Sequence, residues 1–315
     1  MSQAEGFVLA LSGGIGGAKL ALGLYRVLPP GSLTVVANTG DDFEHLGLSI
    51  SPDIDTLLYT LSGLANPELG WGRRDETWTF MKALGDLGGE TWFNLGDGDL
   101  ATHVERTRRL AASESLSQIT DNFRQRLGIS ARLLPMSDDR VRTRLRTAEG
   151  WLDFQDYFVR LRCVPVIGEI AFAGADKARP HPAFLRALAD GNLRAVVICP
   201  SNPFISIDPI LSLPGVREAL RSCSAPVIAV SPIVGGKAVK GPTAKMMTEL
   251  GLPVDAAAAA RYYGDFLDLY VADEMDAGEA GDLGLPVTFA RTLMLSLEDR
   301  EALALVVLKA ADRGF

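Results

Sequence analysis

The stretch 7–19, FVLALSGGIGGAK, constrains this chain more than any other. An apolar run from Phe7 to Leu11 breaks into Ser12-Gly13-Gly14-Ile15-Gly16-Gly17, and a helical pattern follows from Ala18 to Val27. Strand, glycine turn and helix in that order aim backbone N–H groups and the positive end of a helix at an anion. Glycine, lacking Cβ, takes positive φ and lets a phosphate approach the backbone. Four glycines in five positions exceed what a turn alone requires. The spacing is not G-x-G-x-x-G and no G-K-[ST] follows, so two readings stand: a turn for a phosphorylated ligand, or a tight structural turn.

The rest of the chain repeats the strand-and-helix rhythm. Residues 33–37 (LTVVA) read as a second buried strand that leaves through Asn38-Thr39-Gly40-Asp41-Asp42. Helix 56–64 follows Ser51-Pro52-Asp53-Ile54-Asp55, and helices are expected at 75–84, 99–110 and 116–127. The Arg/Glu face of the second of these (Glu105, Arg106, Arg108, Arg109) reads as a solvated surface. Short strands at 131–134 and 151–154 flank a basic run, 140–146, that suits a hairpin or β-patch; a lid and a separate subdomain both remain open there. Strands 195–199, 226–230 and 269–271 then alternate with helices at 215–222, 243–250, 256–266 and 297–311. Apolar strands alternating with helices imply an α/β fold, a mostly parallel sheet with helices on both faces.

Charge narrows the partners. The net charge of the 315 residues is −8, which disfavours nucleic acid, because binding a phosphate backbone needs a concentrated basic surface. The three cysteines, Cys163, Cys199 and Cys223, lie far apart without a C-x-x-C, so zinc and disulfide readings are weak. No basic leader precedes Phe7, and no apolar run nears the ~20 residues of a membrane span. A soluble, cytoplasmic protein is the expectation.

Carboxylates gather after the early strands: Asp41 and Asp42 in one loop, Asp53 and Asp55 in the next. Mg²⁺ takes oxygen ligands and keeps waters and substrate phosphates, so one or two aspartates suffice; the alternative is that Asp42 and Asp53 cap helices. Asp55 stands past the cap position. In Leu95-Gly96-Asp97-Gly98-Asp99, either aspartate suits an N-cap, and His103 lies one turn beyond Asp99. His103 fits a polar contact to substrate or a structural histidine, and three histidines in all make no His-cluster metal site. Ser201 and Asn202, after the strand 195–199, offer donors to a base, ribose or phosphate, or else form an Asx turn before Pro203. No nucleophile elbow or hydrolase triad is visible.

In order, SGGIGGAKL, NTGDDFEHLGLSISPDIDTLLYTLSG, GWGRRDETW, LGDGDLATH, LLPMSDD, FQDYFV, PSNPFISIDPIL and SPIVGGKAVKGP closely resemble the 2-phospho-L-lactate transferase family, from about residue 9 to about 292. The resemblance implies a Mg²⁺-dependent enzyme of coenzyme F-420 biosynthesis. It would move a phospholactyl-type group from a guanosine diphosphate conjugate to the ribityl hydroxyl of a deazaflavin alcohol, releasing GMP. It also implies a homodimer and a Rossmann-like core, about 6–65 and 190–311, with an inserted region at about 66–189. Gly13, Gly14, Gly16, Gly17, Ser201 and Asn202 would serve the guanosine diphosphate part. Asp55 falls on the motif aspartate that holds the deazaflavin side, as metal ligand or base, with Asp42 a second metal ligand. Asn94 stands where many members carry a basic residue, and Gly98 where many carry arginine; both departures touch how the acceptor or its phosphate is neutralised. On this reading Asp55→Ala abolishes transfer with little loss of stability, since a ligand-loop aspartate is not core.

Two alternatives differ in class. A sugar-nucleotide-binding regulator of the related gluconeogenesis-factor group would share the glycine loop, but P-S-N-P-F-I-S-I-D-P argues against it. A nicotinamide-dependent reductase lacks its fingerprint, and Asn38 stands where its acidic residue is expected.

Overall fold

The computed structural model describes residues 6–68, 71–239, 241–278 and 283–313. Gly70 and Lys240, which belong to two of the motifs above, lie outside the described residues. Seven strands form the main sheet: β1 (Phe7–Ser12), β2 (Leu33–Ala37), β3 (Arg132–Pro135), β4 (Leu193–Ile198), β5 (Val227–Val230), β6 (Leu269–Asp273) and β7 (Val287–Ala290). Their order is β7-β6-β5-β4-β1-β2-β3, and every neighbouring pair is parallel. This is the doubly wound, Rossmann-like arrangement, whose strand order reverses between β1 and β4.

The apolar runs follow from that position. Along β1, Leu9 and Leu11 enter the core on one face of the sheet while Val8 and Ala10 enter the core on the other. A strand covered on both faces has no polar side to show, so its sequence is continuous rather than alternating. Each large side chain so buried contributes roughly 1.5–3 kcal/mol. Two helices matter most for the site below: α1 (Gly14–Val27), which leaves β1, and α2 (Pro52–Leu61), which opens on a proline at its first turn. A third, α3 (Asp97–Ala111), packs beside them, and the closing helix α4 (Leu297–Ala311) lies along α1.

The connection from β2 to β3 holds α2, α3, a short antiparallel pair (Phe43–His45 with Leu48–Ile50), and helices Thr79–Asp86 and Leu116–Arg126. The connection from β3 to β4 holds a three-stranded antiparallel sheet, with Arg142–Thr147 between Gly150–Asp153 and Glu169–Ala173. The stretch 66–189 therefore contributes β3 to the main sheet between its helical and its β part. The basic run becomes the central strand of the small sheet, where Arg144 faces Asp153 and Arg146 faces Glu169.

Four elements differ from expectation. The helix placed at 75–84 begins at Thr79, because Asp75 has φ +57° and cannot sit in a helix. Strand Glu169–Ala173 and edge strand β7 carried too little continuous apolar sequence to announce themselves. Helix Pro182–Leu188 has no counterpart among the expected helices. No helix of the described residues is long and apolar enough to cross a membrane.

Candidate active site

At the point where the strand order reverses, the turns after β1 and β4 border a cavity of about 610 Å³. Gly13, Gly14 and Gly16 of the glycine turn line it with Ser201, Asn202, Asp53, Asp55 and Asn94, while Gly17 is buried behind the turn, where a Cβ would lie 2.4 Å from Ser201 Oγ. In open α/β sheets ligands settle in this crevice at the carboxyl ends of the strands.

At its first end the walls are mostly backbone. A Cβ on Gly16 would lie 2.4 Å from the Pro200 carbonyl oxygen, so the turns after β1 and β4 touch only because residue 16 has no side chain. Gly14 adopts φ +64°, which a glycine tolerates without strain. The Gly13 amide donates to Ser201 Oγ at 3.2 Å, and the Gly14 amide donates to Asp53 Oδ1 at 2.6 Å. A carboxylate of the chain itself thus answers one of the N-terminal amides of α1. Asn202 Oδ1 accepts from the amides of Phe204 and Ile205, opening the wide-turn (π) helix Pro203–Ile207, so its oxygen forms the Asx-type turn while the residue still faces the cavity. Lys19 also lines this end and donates from Nζ to the Met294 carbonyl at 2.8 Å.

Asp53 does not cap α2. Its Oδ2 accepts from Asn38 Nδ2 at 2.9 Å, and the same amide reaches the Ile205 carbonyl at 3.2 Å. Asn38 therefore ties the ends of β2 and β4 to α2. Burial pushes the Asp53 carboxyl up to about 6 against the bonds from Asn38 and Gly14. Asp41, which lines the cavity too, is raised well above the ordinary carboxylate range by burial and then by the charge of Asp53. Its Oδ1 is buried without a hydrogen-bond partner among the described residues. Two buried carboxyls so close do not both ionise readily.

The second end is built from side chains on two helices. Asp55 and Tyr59 are four apart on α2; Asp99, His103 and Arg106 are four and three apart on α3. That spacing puts each set on one helix face, and the two faces meet. Tyr59 donates its hydroxyl to Asp99 Oδ1 at 2.6 Å, and His103 Nε2 lies 3.1 Å from Asp99 Oδ2. Arg106 grips both oxygens of Asp55, through Nη1 at 3.1 Å and through Nη2. Burial raises the Tyr59 hydroxyl well above its usual value, with the charges of Asp55 and Asp99 adding to it, so it stays protonated. For Asp99, burial works upward, but the neighbouring His103 ring and the bond from Tyr59 outweigh it and hold the carboxyl below its usual value. Phe93, Phe154, Phe158 and Trp71 supply aromatic walls.

Neither Asp97 nor Asp99 is the N-cap of α3; that residue is Gly96. The cap comes from Glu76, whose carboxylate accepts from the amides of Gly98 at 2.7 Å and Asp99 at 2.8 Å. Gly98 is also accounted for. A Cβ there would lie 3.3 Å from Arg73 Cζ, and Arg73 Nη1 donates to the Gly98 carbonyl at 3.1 Å. Arg73 occupies the space beside residue 98.

Several sequence expectations need restating in this light. Asp55 is not in a loop: it is 4% exposed, inside α2, and paired with an arginine that is 1% exposed, so the reason for expecting its removal to spare stability fails. Arg106, read as part of a solvated face, is buried beneath the site. Asp42 is buried outside the cavity lining, where Ser51 Oγ donates to its Oδ2 at 2.8 Å. Burial pushes Asp42 up to about 7, opposed first by the charge of Arg142. Asp55, Asp99 and His103 are the one group of three among the described residues whose ligand atoms come within 4.8 Å of one another. Reasoning from sequence passed over Tyr59, Arg106, Lys19 and Glu76; the D-x-x-x-H-x-x-R spacing from Asp99 to Arg106 was the available signal.

Comparison with known proteins agrees with the resemblance. Residues 8–280 match the family model described as 2-phospho-L-lactate transferase CofD. A phosphoenolpyruvate transferase of Streptomyces griseus is 40% identical over 311 residues, covering 97% of both chains. A 2-phospho-L-lactate transferase of Methanosarcina mazei is 40% identical over 306 residues, covering 96% of this chain and all of the other. Among solved structures, a member of the UPF0052 family from Bacillus halodurans superposes with a TM-score of 0.66 at 15% identity, over 96% of this chain and 99% of that one. At that identity the likeness is one of fold.

Proposed function

The chain belongs to the 2-phospho-L-lactate transferase CofD family and is a transferase, and from that premise we propose its donor, acceptor and chemistry. It moves a phospho-acid group from a guanosine diphosphate conjugate to the ribityl hydroxyl of a deazaflavin alcohol, with release of GMP, in coenzyme F-420 biosynthesis. One observation carries this reading: a single cavity joins a backbone-rich end at the start of α1 to a carboxylate-and-hydroxyl end walled by aromatic rings. The first end suits a diphosphate, with Gly13, Gly14, Gly16, Ser201 and Asn202 around it and Lys19 beside it. The second suits a flat ring system carrying a polar chain.

The acceptor hydroxyl attacks the phosphorus that bears the organic acid, and the bond from that phosphorus to the GMP oxygen breaks. GMP keeps the bonding pair, and the hydroxyl proton passes to the carboxylates at the acidic end, Asp55 foremost. Phosphoryl transfer asks for positioning and charge neutralisation rather than a protein nucleophile. The cavity lining matches, having no cysteine among its residues.

Mg²⁺ fits this site by the chemistry of its donors. The unpartnered Asp41 Oδ1 at the cavity wall, with Asp53 beside it, is an all-oxygen set next to the glycine turn. Asp55, Asp99 and His103 include an imidazole, and Arg106 already holds Asp55, so this set suits Mg²⁺ less. When bound, the ion would neutralise phosphate charge. Asp42, farther back, would act on this set through its charge.

Relatives of equal identity carry two names, phosphoenolpyruvate transferase and 2-phospho-L-lactate transferase, so likeness alone does not choose the donor. The test incubates the protein with the deazaflavin alcohol, Mg²⁺ and, separately, the phospholactate, phosphoenolpyruvate and phosphoglycerate conjugates, with products followed by mass. One conjugate giving product and GMP supports the reading and names the donor. No product from any, with binding of a nucleotide sugar instead, overturns it.

A further inference from the structure

We infer that Arg106 is a positioning residue of the transfer reaction, fixing the placement of Asp55 and the tautomer of His103 from behind the cavity. The inference rests on the reading of the cavity given above. Arg106 is absent from the cavity lining, whereas Asp55, His103, Asp99 and Tyr59 all belong to it, so the guanidinium can act on a substrate only through its neighbours.

Its bonds decide what those neighbours do. Nη1 and Nη2 both donate to Asp55, and Nη1 also lies 3.3 Å from the Ser49 carbonyl and 3.3 Å from His103 Nδ1. A guanidinium has five donors and no acceptor. The contact with His103 can therefore run one way only, with Nδ1 accepting. The ring must then carry its proton on Nε2, the atom 3.1 Å from Asp99 Oδ2. A proton on Nδ1 would point at the guanidinium, and the carboxylate of Asp55, 3.7 Å from Nδ1, is too far to take it. Asp99 accepts from Tyr59 on Oδ1, while its Oδ2 lies 3.1 Å from His103 Nε2, an atom that makes no regular hydrogen bond among the described residues. The result is a row of contacts, Arg106 to His103 to Asp99, with Tyr59 joining from α2, in which the guanidinium holds Nδ1 of the ring as an acceptor. The acceptor hydroxyl then meets a fixed set of acceptors and not a fluctuating one.

The first test needs no substrate. In protein labelled with ¹⁵N-histidine, the two-bond proton–nitrogen pattern of the three rings reports which nitrogen is protonated, and His103→Gln identifies the signal. A proton on Nε2 with bare Nδ1 is expected; a proton on Nδ1, or on both, overturns the inference. The second test is Arg106→Lys, which keeps the charge but not the fork. By analogy with other outer-shell partners, kcat should fall about 10- to 100-fold while the KM for the acceptor stays within about threefold. In the same variant the His103 signal should move toward a mixture of tautomers. An unchanged kcat, or an unchanged ring pattern, overturns the positioning role. Should the lysine variant not fold, the measurement on the unaltered protein still decides. Should no conjugate give product, the function fails, while the ring pattern in protein and variant judges Arg106 separately.

Discussion

The two ends of the cavity are made in opposite ways. The glycine end is written in consecutive residues, Gly13 to Gly17, and works through main-chain groups and a missing Cβ. The acidic end is assembled from α2 and α3 and works through side chains held by other side chains. They share a core only in part. The strands at the glycine end belong to the two large apolar clusters that cover the main sheet, and α2 joins one of these through Ile54, Leu57 and Leu58, whereas a small separate cluster of Ile50, Met81 and Leu95, with Phe43, Phe93 and Leu100, adds a second support at the acidic end. Geometry fixed by backbone tolerates no added atom; geometry fixed by charge tolerates no missing partner.

The sharpest way to break this contrast is Asp55→Ala. Transfer should be lost, and stability should fall by about 3–5 kcal/mol, because a buried guanidinium is left without its partner. Urea unfolding checks it, and a loss under about 1 kcal/mol would show that the pair does not hold this end together. At the other end, Gly16→Ala places a carbon where only 2.4 Å separates it from the Pro200 carbonyl oxygen. A cost of about 1–3 kcal/mol is expected from the forced shift. The KM for the donor should rise at least about tenfold with the acceptor KM little changed, a split that initial-rate kinetics would reveal. If the acceptor KM moves equally, the two ends are not separable.

Glu76→Ala sharpens the contrast more gently. It removes the cap from α3 and should cost about 1–2 kcal/mol, with faster amide exchange confined to the start of that helix. The smallest effect lies behind the acidic end, where His45 packs against Phe43, Trp92 and Phe93. Burial pushes His45 below its ordinary value, opposed by the charge of Glu90. A lowered folded value means that the unfolded chain takes the proton more readily. Its contribution is then complete above about pH 6.5 and is lost as the pH falls below that. The melting temperature of the unaltered protein should therefore drop more on acidification than that of His45→Phe. Equal drops would remove His45 from the account.

The same contrast explains what sequence could reveal. Continuous apolar runs mark buried parallel strands, so β1 to β6 were legible as strands, whereas their order in the sheet, with its reversal beside the glycine turn, came only with the structure. Asp55 was legible as a candidate from its place past the helix cap, and Asn94 only through motif resemblance. Arg106 was not legible because a charged residue on a helix reads as solvated until its partner, fifty-one positions earlier, is brought against it. Glu76 was missed for the same reason: its bonds go to amides twenty-two and twenty-three residues away. Local chemistry can be read locally, and long-range pairing cannot.

The connection between β2 and β3 contains Asp41, Asp53, Asp55, Tyr59, Asn94, Asp99, His103 and Arg106, while Gly13 to Gly17, Ser201 and Asn202 all lie outside it. The polar side chains of the acidic end therefore lie on one unbroken length of chain, which also carries Asp53, the partner of the Gly14 amide, whereas Phe154 and Phe158 come from the next connection. Recombination at two strand ends would carry the acidic set across with its internal arginine and its tie to the glycine turn, and would leave two of the aromatic walls behind.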